Sequence, residues 1–78
     1  MYVAKLERDK FLKFFGARVS ELRKQRNLSQ EELAYEADID LSSLSRMERG
    51  LYNPSICKLN DLAEALRVNI KDFFEEKY

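Results

Sequence analysis

Helix-start signals divide this chain into short segments and constrain its fold more than any other feature. Ser29 is followed three residues later by Glu32, which is the spacing of a capping box. Asp40, Ser55 and Asn69 are further residues of the kind that cap helix N-termini. Apolar residues recur between these signals at helical spacing. The pattern predicts an all-α fold of five short helices around one core.

The first predicted helix ends near Arg26, because Asn27 suits the left-handed conformation that follows a helix C-terminus. Four large apolar residues are expected on one face of this helix. They are Phe11, Phe15, Val19 and Leu22.

Two short helices joined by a tight turn are predicted from about Ser29 to Gly50. In the first of them, small residues such as Ala34 and Ala37 would let another helix approach closely. Leu44 and Met47 of the second helix would point inward. Its remaining polar side chains would then face solvent or a ligand. This arrangement is a helix-turn-helix, which can present its second helix to the major groove of DNA.

The C-terminal part predicts a fourth helix with one apolar stripe. A short fifth helix would follow Asn69 and carry Ile70, Phe73 and Phe74. Residues 1–78 are expected to form one domain, since a chain of 78 residues is too short for two.

The composition argues against several classes of protein. The chain has no histidine and one cysteine, so neither an internal disulfide nor a Cys/His metal site is expected. No phosphate-binding glycine loop is present, and no nucleophile has a visible base partner, so we expect no enzyme and no cofactor. No apolar run is long enough for a membrane span. A cytoplasmic protein is therefore expected, with Cys57 as a small buried apolar residue.

The charge is unevenly distributed, although the formal net charge is zero. Residues 1–26 contain eight basic and three acidic side chains, whereas residues 27–47 contain one basic and five acidic ones. A local basic surface can still contact phosphate. The basic side chains of the first helix, Arg18 among them, are expected mainly on a solvated face.

The ordered motifs resemble the Cro/cI-type (XRE) helix-turn-helix family. They lie at Leu28–Ala34, at Leu44–Gly50 and at Asn53–Ser55, and the resemblance covers about residues 14–75. It implies a lambda-repressor-like domain that binds double-stranded DNA, most like restriction–modification controller proteins or small phage repressors. No small-molecule ligand is implied.

The resemblance also implies roles for individual residues. The recognition helix would be about residues 41–49. Gln30 would contact a phosphate and brace this helix, and Arg23 and Glu48 would form a buried ion pair that is structural. Base edges would be contacted by Leu41, Ser42, Ser43 and Arg46. The DNA backbone would be contacted by Ser45, Arg49 and Asn53.

Four positions depart from the family pattern or leave alternatives open. Asp40 stands where a polar or basic residue is usual, and it would either cap its helix or accept from a cytosine amino group. Asp38 stands where glycine is usual in the turn. Leu41 would either contact a thymine methyl group or belong to the core. Arg46 would either contact guanine or remain solvated or bound to phosphate.

Family members of this size imply a homodimer that binds a palindromic operator as a repressor or an activator. Phe73 and Phe74 are the expected dimer surface, with Tyr78 nearby, although either phenylalanine could simply close the core. The alternative function is an antitoxin, or another protein-interaction module for which DNA binding is secondary or absent.

Overall fold

The computed structural model describes residues 5–75, and the side chains of residues 7–75; Tyr78 lies outside this range. The described chain contains four α-helices followed by a 3-10 helix, which confirms the all-α prediction. Their order is α1 (Lys5–Gln25), α2 (Gln30–Ala37), α3 (Leu41–Glu48), α4 (Ile56–Leu66) and the 3-10 helix Ile70–Phe74.

The capping residues lie at the starts and ends of these helices, as their chemistry predicts. Ser29 and Glu32 form a reciprocal capping box, in which the Ser29 hydroxyl accepts from the Glu32 amide at 3.0 Å. Ser55 caps α4 by accepting from the Lys58 amide at 3.1 Å. Asp38 closes α2 in the left-handed conformation, with φ of 56°. An aspartate can adopt this conformation at modest cost, so the turn keeps its geometry without glycine.

The fifth helix is a single 3-10 segment instead of an α-helix. It has five residues, and its start is held by the Asn69 amide, which donates to the Asp72 carboxylate at 2.9 Å. Short segments often adopt this tighter helix. Phe73 and Phe74 therefore point in different directions. Phe73 is fully buried, whereas Phe74 is 38% exposed.

The core lies where α1 packs on α3 and α2 packs on α4. Leu44 and Met47 place one face of α3 in this core. Close approach of α1 to α3 requires Gly16, because a methyl group there would collide with the backbone oxygens of Met47 and Glu48. The buried core residues are Phe15, Val19, Leu22, Leu33, Ala34, Ala37, Ile39, Leu44, Met47, Leu62, Ala63, Leu66 and Phe73.

The sequence-based expectation that Cys57 is buried is wrong. Cys57 is exposed, since it lies two residues and thus about 200° around the helix from Leu59 of the packed stripe. Phe11 is 51% exposed, although it shares a helix face with the buried Phe15. Its ring stacks on that of Phe74, with centroids 5.6 Å apart.

Arg18 is a structural residue and does not lie on a solvated face. Its side chain is 11% exposed. Its Nε donates to the backbone oxygen of Asp72 at 2.7 Å, and its Nη1 donates to the Glu21 carboxylate at 2.7 Å. The bond to Asp72 attaches the 3-10 helix to α1, and the bond to Glu21 holds the guanidinium within α1.

None of the helices among the described residues is long and apolar enough to cross a membrane.

Candidate nucleic-acid interface

The helix α3 has one face in the core and one face outside it. Leu44 and Met47 are 0% exposed, whereas Ser42 and Arg46 are exposed. Ser42 and Arg46 are four residues apart, so they are neighbours on the same helix surface. The outer face of α3 therefore presents a hydroxyl and a guanidinium on a helix whose other face is immobilised by packing.

The N-terminal end of α3 is fixed by Asp40. One carboxylate oxygen, Oδ2, accepts from the Ser43 amide at 3.0 Å and from the Ser42 hydroxyl at 2.8 Å. These hydrogen bonds hold the pKa of Asp40 below its usual value, and the bond from the Ser42 hydroxyl has the largest effect. Asp40 is thus an ionised helix cap at neutral pH.

The guanidinium of Arg46 lies over the ring of Tyr52, with Cζ 5.8 Å from the ring centroid. Tyr52 is half-buried and packs against the core, so it offers Arg46 a fixed aromatic surface. Within residues 7–75 the guanidinium has no hydrogen-bond or ion-pair partner. Its donors therefore remain available to a ligand. Sequence reasoning missed Tyr52, and its only signal was an aromatic residue just after the turn at Gly50.

The C-terminal end of α3 is held by the carboxylate of Glu48. Arg23 of α1 donates to it twice, from Nε to Oε2 at 2.7 Å and from Nη2 to Oε1 at 3.1 Å. Gln30 of α2 donates to the same Oε1 at 3.0 Å. The side chains of Arg23 and Glu48 are only 11% and 6% exposed. We call these three residues the Glu48 junction.

The Glu48 junction joins three helices and one loop. A third donor of Arg23, Nη1, reaches the backbone oxygen of Leu28 at 2.8 Å, in the segment between α1 and α2. A bidentate arginine–carboxylate pair fixes orientation as well as distance. Gln30 thus braces α3 through Glu48, and one of its two amide protons remains for another acceptor.

The other predicted contact residues border the outer face of α3. Leu41 is 42% exposed at the start of the helix and lies outside the core. Arg49 and Asn53 are exposed after the C-terminal end of α3, and the Nε of Arg49 donates to the Ser45 backbone oxygen at 3.4 Å. Ser43 and Ser45 are half-buried.

Four acidic side chains line one open cleft between α2 and α4. They are Glu36 and Asp38 at the end of α2, and Asp61 and Glu64 of α4. On α3 itself the two acidic groups are engaged, Asp40 as the helix cap and Glu48 in the junction. Although the chain has no net charge, the charged groups at the surface of α3 without an ion-pair partner within residues 7–75 are the arginines Arg46 and Arg49.

Comparison with known proteins agrees with this geometry. The sequence family described as Helix-turn-helix matches residues 19–73. The chain belongs to the helix-turn-helix family. This membership confirms the resemblance to Cro/cI-type proteins, and gives the chain the fold of DNA-binding transcriptional regulators.

Individual relatives of this helix-turn-helix protein include controller proteins. The chain is 37% identical to control protein C.BamHI of Bacillus amyloliquefaciens, over 78% of this chain and 76% of that protein. The structure of the restriction-modification controller protein C.AhdI from Aeromonas hydrophila superposes with a TM-score of 0.82 and 38% identity. That match covers 83% of this chain and 98% of the other.

A phage protein is also similar. The chain is 37% identical to the immunity repressor protein of Bacillus phage phi105, over 80% of this chain. It spans only 43% of the length of that repressor.

Breaking the Glu48 junction is expected to destabilise the domain. Arg23→Met leaves a nearly buried carboxylate with Gln30 alone, so we expect the free energy of unfolding to fall by about 3–5 kcal/mol. Thermal and urea unfolding, followed by circular dichroism, measure the change. The exposed neighbour provides the control, because Lys24→Met should change stability by less than about 0.5 kcal/mol.

A double variant separates two effects on stability, the loss of the ion pair and the burial of an unpaired charge. Arg23→Met combined with Glu48→Met removes both charges and should be more stable than Arg23→Met alone. A normal melting temperature for Arg23→Met would contradict the structural role of the pair.

Proposed function

We propose that this protein is a sequence-specific regulator of transcription that binds double-stranded DNA as a homodimer, with α3 in the major groove of each half of a palindromic operator. The observation that carries the proposal is the division of α3 into a fully buried apolar face and an outer face with Ser42 and Arg46 exposed. A helix held in this way can enter a groove about 12 Å wide without losing its support.

The chemistry of the outer face suits direct contact with bases. Arginine can donate two parallel hydrogen bonds to O6 and N7 of guanine. The contact of Arg46 with Tyr52 restricts the guanidinium before DNA is bound, which lowers the entropy lost on binding. Arg49 and Asn53 lie beyond the C-terminal end of α3, where contacts with the phosphate backbone would set its position.

Selection from random duplex DNA tests this function. We expect enrichment of a palindrome, and binding of the selected duplex should weaken steeply as the salt concentration rises. If the folded protein enriches no sequence, the proposal is overturned in favour of a protein-interaction module.

Arg46 and Arg49 provide a matched pair of variants on the selected duplex. Arg46→Ala should relax the preference at one base pair of each half-site by about 1–3 kcal/mol. Arg49→Ala should instead weaken binding to all sequences alike and reduce the salt slope by about one. Titration of single-base operator variants at two salt concentrations distinguishes these results. A uniform loss for Arg46→Ala would make Arg46 a backbone contact.

The dimer surface that we propose combines Phe11 with Phe74. Both rings are partly exposed and stack on each other, and a shallow apolar groove beside them includes Leu12, Pro54 and Leu59. Phe73 is fully buried and has no surface to give to a partner. Aromatic side chains in such a setting often dominate the binding free energy of an interface.

Substitution of Phe11 tests this surface. Phe11→Ser should raise the dissociation constant of the dimer by about tenfold or more, because it removes an aromatic anchor. Tyr35→Ser removes an aromatic ring that is 87% exposed on α2, and should leave dimerisation unchanged. Analytical ultracentrifugation measures both. A monomer mass for the unaltered protein at high micromolar concentration would rule out the homodimer.

A further inference from the structure

The hydroxyl proton of Ser42 is already in use before any ligand binds. Ser42 Oγ donates to Asp40 Oδ2 at 2.8 Å, although both side chains are exposed. A serine hydroxyl has one proton and two lone pairs. While this bond persists, Ser42 offers a ligand only hydrogen-bond acceptors.

The Asp40 carboxylate, which accepts this hydrogen bond, cannot easily rotate away from Ser42. Oδ2 of Asp40 also accepts from the Ser43 amide at 3.0 Å, and this bond caps the N-terminus of α3. Rotation of the carboxylate would therefore release the cap. Hydrogen bonds to an ionised acceptor are also stronger than those between neutral groups, which favours the hydroxyl orientation seen here.

The outer face of α3 consequently has two ends of opposite hydrogen-bonding character. Ser42 presents lone pairs, whereas Arg46 presents only donors. The two residues are separated by one helical turn, a rise of about 6 Å. They can therefore contact different base pairs of one half-site. Ser42 would require a hydrogen-bond donor there, and Arg46 would require acceptors.

We propose that Ser42 selects a base that carries an exocyclic amino group, N6 of adenine or N4 of cytosine, and that Asp40 is the positioning residue that imposes this choice. In the major groove, guanine and thymine present acceptors only, and an acceptor has no proton to share with Ser42. This inference rests on the proposed function, because it requires α3 to lie in the major groove.

Base preference in the selected duplex tests the proposal. Ser42→Ala identifies the contacted base pair as the one whose preference it alters. There the unaltered protein should prefer a duplex that carries the exocyclic amino group over one with an analogue base that lacks it (purine in place of adenine, 2-pyrimidinone in place of cytosine) by roughly 2- to 10-fold, the effect of one hydrogen bond. Ser42→Ala should abolish this preference. Asp40→Ala should reduce it, because the freed hydroxyl can then donate to guanine or thymine as well.

Two further variants separate orientation of the hydroxyl from simple loss of structure. Asp40→Asn keeps an oxygen that can accept from Ser42 and cap α3, so it should retain the preference. Ser55→Ala removes the equivalent cap of α4 and should leave base preference unchanged, whatever it does to stability.

The outcomes that overturn the inference differ from those that overturn the function. Binding that is unchanged when the exocyclic amino group is removed, or a preference that Asp40→Ala leaves intact, would contradict the role of Asp40. A Ser42→Ala variant that alters no base pair would exclude Ser42 as a specificity residue. Absence of any selected sequence would instead refute the proposed function itself.

Discussion

The carboxylate of Glu48 is the point on which the arrangement of the first three helices depends. It accepts from Arg23 of α1 and Gln30 of α2 while belonging to α3. An ion pair so nearly buried gains little net stability over an apolar contact of the same shape, but it tolerates few alternative geometries. Gly16 completes this arrangement by letting α1 approach the backbone of α3 at Met47 and Glu48. The outer face of α3 is thus oriented by contacts on its inner side.

The α3 helix has a buried inner face and an exposed outer face with Arg46. This explains how a chain with no net charge can present a surface suited to DNA. Asp40 caps α3, Glu48 joins α3 to α1 and α2, and four further acidic residues line the cleft between α2 and α4. Arg46 and Arg49 remain free of ion pairs within residues 7–75. Phosphate contacts depend on local charge and its placement, so the sum over the sequence says little about this surface.

The helices were predictable because their signals are local. The capping box at Ser29 and the caps at Asp40 and Ser55 lie within a few residues of the groups that they satisfy. The Arg23–Glu48 pair required the family resemblance, since the two residues are 25 positions apart. Arg18, Cys57 and Tyr52 were misjudged or missed. The surroundings of each of these residues depend on an element distant in sequence, or on how a helix is rotated against the core. The helical pattern of the sequence specifies neither of these.

We propose that the outer face of α3, held by the Glu48 junction, is the surface that contacts DNA. Amide chemical-shift mapping by NMR, during titration with the selected duplex, tests it most directly. We predict that the largest changes fall on Gln30 and on residues 41–49, with the amides of Glu36, Asp61 and Glu64 little affected. Changes concentrated on the acidic cleft, with α3 unperturbed, would contradict the account.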